Sequence, residues 1–277
     1  MRVGLILAIA SGLSVLAGAA QAATVEIKDA VARVTVVPEA RNDVRVEILA
    51  NNPRLPLEVR TVGGRTVVDG GLRRRIRNCR GPAANPRVVV AGVGEVGGRE
   101  MPQLVVHVPR DADVEASGAV FGSVGRTANL DLANAGCGDW TIANVEGRLR
   151  LNEAGSGDVR AGSAGEAHVR VAGSGDVVTA EVRGPLQVEI AGSGDVTVAS
   201  IGGALNARMA GSGDVRVRDG HAPVVNVAIA GSGDLSFGGV ADRLSAKIMG
   251  SGDVRVRQVK GPVSKMVIGS GGVSIGR

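Results

Sequence analysis

The sequence predicts an all-β protein: a right-handed parallel β-solenoid of about eight to nine rungs, each of about 19 residues, with an N-terminal β cap. Two observations predict it. First, a Gly-Ser-Gly-Asp tetrad recurs at a nearly fixed period. Copies begin at Gly136 (as Gly-Cys-Gly-Asp), Gly155, Gly173, Gly192, Gly211, Gly231, Gly250 and Gly269 (as Gly-Ser-Gly-Gly), at intervals of 19, 18, 19, 19, 20, 19 and 19 residues. A degenerate copy, Ser117-Gly118-Ala119-Val120, lies one interval upstream. Second, the residues between tetrads alternate apolar and polar with the period of a half-buried strand. Leu186/Val188/Ile190, Leu205/Ala207/Met209, Val225/Val227/Ile229 and Leu244/Ala246/Ile248 occupy the same slots of successive repeats. So do Val196/Val198, Val215/Val217, Leu235/Phe237 and Val254/Val256.

One such unit cannot bury its apolar face alone, but stacking makes the inward rows a continuous core. At about 4.8 Å per rung, nine rungs give a column of roughly 43 Å. The right hand is expected because parallel crossover connections nearly always take it. The near absence of aromatics (Phe121, Trp140 and Phe237, no Tyr) suits a narrow interior filled by small aliphatics.

In chain order, residues 1–22 read as a secretory signal peptide. Arg2 supplies the positive start, Leu5 to Leu16 the apolar run, and Ala20-Gln21-Ala22 the small-x-small cleavage signal. The run is short for a transmembrane helix, and none of spanning length follows. The expected location is therefore periplasmic or extracellular. The chain carries 32 basic and 27 acidic residues, +5 in all; losing Arg2 with the leader leaves +4.

Residues 23–112 are expected to form a β-rich cap or irregular opening coils. Val25-Glu26-Ile27, Ala32-Arg33-Val34-Thr35-Val36-Val37 and Val44-Arg45-Val46-Glu47-Ile48 alternate well. Pro38, Pro53, Pro56, Pro82, Pro86, Pro102 and Pro109 divide the segment. A cap is needed because an open solenoid end exposes strand edges. Residues 113–277 are the expected solenoid, in which Lys265 replaces an apolar residue in the last rung and would cap it by charge.

The repeat resembles the family called putative auto-transporter adhesin, head GIN domain. The resemblance is carried by the Ala-Gly-Ser-Gly-Asp-Val rungs, by the closing Gly269-Ser270-Gly271-Gly272-Val273-Ser274-Ile275-Gly276 and by the entry Leu104-Val105-Val106-His107-Val108-Pro109. It implies an exported β-helical domain and supplies no catalytic residues.

Asp158, Asp176, Asp195, Asp214, Asp234 and Asp253 follow the glycines directly. They read as turn-makers whose carboxylates bond backbone groups at the corner, beside glycines able to take positive φ. The competing reading is a calcium ladder. The known calcium solenoid repeat is a nonapeptide with a residue between its last Gly and Asp, and this chain departs from it. No other cofactor or metal is expected. His107, His168 and His221 lack ligand spacing.

A loop carrying Arg73, Arg74, Arg75, Arg77 and Arg80 is either a solvated surface or a contact for an anionic partner. Export argues against nucleic acid. Cys79 and Cys137, 58 positions apart, are candidates for a disulfide permitted by export.

A polysaccharide-cleaving or carbohydrate-binding β-helix protein is the alternative function, and the cleaving version needs a catalytic pair. Its two carboxylates in unlike environments would have to come from the Asp row with Glu26, Glu115, Glu146, Glu153, Glu166 or Glu181. The expected function is non-enzymatic: a structural, adhesive or binding role at the cell envelope, toward polysaccharide or a surface protein.

Overall fold

A computed structural model describes residues 23–81 and 85–276. The expected leader and Pro82 lie outside the described residues. Among those described the architecture is all-β, with one short 3-10 turn at Arg73–Arg75.

The column opens with β1 (Thr24–Glu39), inside the segment expected as a cap. The next four strands are β2 (Arg45–Ala50), β3 (Glu58–Val62), β4 (Arg65–Asp69) and β5 (Ile76–Arg80). Then come β6 (Arg87–Val90), β7 (Gly94–Gly97), β8 (Gln103–Pro109) and β9 (Asp111–Val124). β9 spans the expected 112/113 boundary and runs parallel to β1, pairing Val25 with Val114 and Val34 with Gly122. The solenoid thus reaches back to Thr24, and residues 40–110 are an excursion between two rungs. Repeat spacing misses β1 because its corner has no glycine tetrad. The bend falls at Asp29, at φ +51°, whose N–H donates to Ser117 Oγ at 3.2 Å.

The excursion covers the N-terminal end twice. β4 and β8 add in parallel to the free edge of β1, and β3 and β2 pair antiparallel outside them. β5, β6 and β7 form a separate antiparallel sheet. Its Val88, Val90 and Val96 join Leu72 and Met101 in a second core against the outward Val31, Ala119 and Phe121 of β1 and β9.

From β9 onward the chain makes about nine turns. Each later turn has two strands: β10 (Asn129–Gly136) and β11 (Trp140–Ile142), β12 (Arg148–Glu153) and β13 (Val159–Ala161), β14 (Glu166–Val171) and β15 (Val177–Val182). β16 (Leu186–Gly192) and β17 (Val196–Ile201), then β18 (Leu205–Gly211) and β19 (Val215–Ala222), continue the pattern. The last turns are β20 (Val225–Gly231) with β21 (Leu235–Ala241), β22 (Leu244–Gly250) with β23 (Val254–Val259), and β24 (Val263–Gly269) with β25 (Val273–Ile275). Each strand pairs in parallel with the strand two later, which makes two facing sheets.

Register follows the predicted rows. Leu186 stands on Leu205, Val188 on Ala207 and Ile190 on Met209, all buried. Burying a Val or Leu contributes roughly 1.5–3 kcal/mol, so the stack is the main stabilising term. Corners permit the close stacking. Gly211 has φ +136°, and a Cβ there would strike the Gly192 carbonyl, which instead accepts from Ser212 N–H at 3.0 Å.

Candidate functional site

The repeated corner is the most regular chemical feature. The Asp158 N–H donates to Asp139 Oδ1 at 3.0 Å, Asp176 to Asp158 at 3.1 Å, and Asp195 to Asp176 at 2.9 Å. Asp214, Asp234 and Asp253 continue the pattern at 2.8 Å each, and Gly272 N–H closes it on Asp253 Oδ1 at 2.8 Å. Each carboxylate therefore satisfies the backbone donor of the rung above. Asp139, in the Gly-Cys-Gly-Asp copy, is the foot of this ladder.

Charge along the row is partly compensated at its C-terminal end. Arg255 donates to Asp234 Oδ2 at 2.9 Å and to Asp253 Oδ2 at 2.6 Å. Burial works to raise the Asp234 pKa, but the Asp253 N–H and Arg255 outweigh it and hold it below the ordinary value. Among the described residues no group of three or more His, Cys, Asp or Glu is placed to hold a metal ion.

The other carboxylates do not converge on the ladder as one cluster. Glu26 and Glu115 are adjacent in register and share Arg65, which donates to Glu26 at 3.1 Å and also to Glu115. Glu146 pairs with Arg110. Glu166 and Glu181 are exposed. His107 lies 2.8 Å from Glu39 and His221 3.0 Å from Asp242, while His168 is 3.8 Å from Glu189.

Glu153 is different. It occupies the inward row between the buried Asn134 below and Val171 above, where the later rungs are apolar, and is 1% exposed. Its Oε2 accepts from Asn134 Nδ2 at 2.8 Å, and Oε1 has no hydrogen-bond partner among the described residues. Burial pushes its pKa up to about 8. Asn134 and the Gly155 N–H oppose the rise, and Asp158 and Asp139 add to it.

Arg73, Arg74, Arg77 and Arg80 are exposed, and none has an ion-pair partner among the described residues. Arg75 donates to the Ala91 carbonyl at 3.0 Å. Cys79, on β5, is joined to Cys137 in the first tetrad corner, with Cα atoms 6.0 Å apart. The bridge fastens the small sheet to the column.

The outer face of the sheet containing β16, β18, β20, β22 and β24 is asymmetric. Away from the tetrad corner it is polar, with Gln187, Asn206, Asn226 and Ser245 in register. Beside the corner, Ala191, Ala210, Ala230, Met249 and Ile268 form an apolar row. Between the two runs the row Arg170, Glu189, Arg208, Ala228, Lys247 and Met266. The alanines are low ground between longer side chains, which leaves an open trough of about 460 Å³.

The architecture defines the class: a parallel β-solenoid whose corners are locked by an aspartate-to-backbone ladder. Within it, residues 181–261 match the family described as putative auto-transporter adhesin, head GIN domain, so the resemblance carried by the repeat holds across that segment. A solved putative adhesin from Parabacteroides distasonis is similar at 18% identity and TM-score 0.51, covering 90% of this chain and 91% of its own. A putative lipid binding protein from the same organism is similar at 17% identity and TM-score 0.54, covering 92% and 93%. At these identities the likeness speaks to the fold. No curated protein matches the chain.

Proposed function

We propose that this is an exported, non-enzymatic β-solenoid that binds or adheres at the bacterial cell envelope, in the periplasm or outside the cell. The observation that carries the reading is the uniformity of the repeat face. Seven aspartates, Asp139 to Asp253, each spend one oxygen on the backbone of the next rung. Such a ladder is a construction element, and the rows beside it repeat about every 4.8 Å. Repeated equivalent contacts suit an extended polymer or a surface engaged at several points. The family match over 181–261 supports adhesion. The disulfide supports an oxidising compartment, and Arg2 with Ala20-Gln21-Ala22 supports export.

Envelope polysaccharide and surface protein are the proposed partners, with the exposed arginines of the small sheet as a contact for anionic groups. The test is retention of the mature protein on isolated envelope and on purified envelope polysaccharide at low salt. Retention that weakens with salt is expected. Passage through every such material unretained would overturn the reading.

A further inference from the structure

We propose that the trough beside the tetrad corner is a binding site for one long-chain anionic amphiphile, a molecule with a single acyl chain and a carboxylate or phosphate head. This deepens the binding reading above by naming a ligand class and its residues.

The floor supplies the chain's environment. Ala191, Ala210 and Ala230 stand in register on three successive rungs, are exposed, and point outward from strands whose inward neighbours fill the core. The row then passes into Met249, 60% exposed, with Met266 of the next rung 57% exposed beside it. Three rung steps from Ala191 to Met249 measure about 14 Å. One leaflet of a bilayer's hydrocarbon core is about 15 Å, so the floor is about as long as one acyl chain. The volume, about 460 Å³, lies within the range of small-molecule sites, roughly 300–1,000 Å³.

The rim supplies the charge. Arg170 stands at the end away from the methionines, is exposed, and has no ion-pair partner among the described residues. Arg208, one rung past Glu189, has only a 3.6 Å contact with that carboxylate. Glu189 is the one acid on the rim, and Gln187 Nε2 also donates to it at 3.1 Å. Lys247 is likewise without an ion-pair partner among the described residues, and its stem walls the apolar end. Cations stand along the whole rim, and the exposed methionines lie at one end only, which gives the trough a direction: head at Arg170, tail toward Met249 and Met266.

The test uses the purified mature chain and palmitate below its micelle-forming concentration, with hexadecanol as the neutral control, followed by calorimetry. Expected are one palmitate per chain and binding at least tenfold tighter than hexadecanol. Arg170→Gln should weaken palmitate about tenfold and leave hexadecanol unchanged, whereas Lys247→Gln should change palmitate less than threefold.

Ala210→Leu separates a shaped site from a sticky face. It keeps the face apolar but blocks the floor, and should weaken palmitate at least tenfold; Ala210→Glu should do the same. The side chain at position 210 points to solvent, and unchanged melting temperatures would show that both variants fold. Equal binding by wild type and Ala210→Leu, equal binding of palmitate and hexadecanol, or no palmitate binding would overturn the proposal. So would binding confined to phosphatidylglycerol vesicles, which would assign the face to a membrane surface. Palmitate binding by a protein that envelope material fails to retain would remove the envelope reading and leave this one standing.

Discussion

Asp195 both gives and receives: its N–H donates to the rung below and its Oδ1 accepts from the rung above, at 2.9 and 2.8 Å. Asp195→Ala removes the acceptor and leaves the Asp214 N–H unmatched at a half-buried corner. The expected loss is about 1–2 kcal/mol in chemical denaturation, and Asp195→Asn, which retains an acceptor oxygen, should lose less. Because the carboxylates are committed to backbone, calcium should leave the melting temperature where a chelator leaves it. A large rise with calcium would mean that the folded ladder binds cations.

Glu153 carries the pH dependence. Its folded pKa, about 8, lies above the ordinary 4.5, so folding favours the protonated acid. The stability it permits is fully present below pH 4.5 and falls as pH rises, by up to about 1.4 kcal/mol per unit, levelling off above about 8. Glu153→Gln should flatten that slope in denaturation curves taken from pH 5 to 9 and stabilise the protein at the alkaline end. A slope unchanged by the substitution would show that other groups carry it. A signal for this residue stands in the sequence: the alternation Leu149, Leu151, Glu153 puts the acid in an inward slot. Alternation alone does not say that Asn134 lies one rung below to receive it, and that pairing comes from the register.

At the scale of elements, the strands from β10 onward were legible because a local pattern specifies them: period two within strands and a glycine corner between. The aspartates were legible as turn-makers for the same reason. The excursion over residues 40–110 was not. Its β4 and β8 pair with β1 across 41 and 70 residues, as in Val25 with Thr66 and Arg33 with Gln103, and no repeat marks those partnerships. The trough was hidden too, since the alanine before all but the last two tetrads reads as part of the corner until register lines the alanines up with Met249 and Ile268. The Cys79–Cys137 bridge is what fixes the small sheet in place covalently. Closing a loop of 58 residues is worth roughly 4 kcal/mol in the chain-entropy account. Cys137→Ser should therefore lower stability by about that amount and expose the 73–80 segment first to limited proteolysis. Equal stability and an unchanged cleavage pattern would mean the sheet is held by its second core alone.

The whole molecule has two unlike ends. At the start, β1 is covered by β4 and β8, and the outer strands β3 and β2 present Glu58, Arg60, Arg45 and Glu47, charges that discourage further strand pairing. At the finish, every residue of β24 is exposed, and Lys265 stands in the inward row above Ala246. A lysine in that slot opposes the addition of another rung.

The difference between the ends also sets how the protein would yield if pulled. The last turn has neighbours on one side only, so tension applied at the C-terminus peels turns from that end. Each one releases about 19 residues, up to roughly 65 Å of slack, for about 4.8 Å of column lost. Peeling that travels the full column would meet the covalent bridge at Cys137, which keeps residues 79–137 out of the force path. Mechanically, such a column would yield one turn at a time from its last described rung, and it is anchored at its root by a bond that tension on the strands does not unzip.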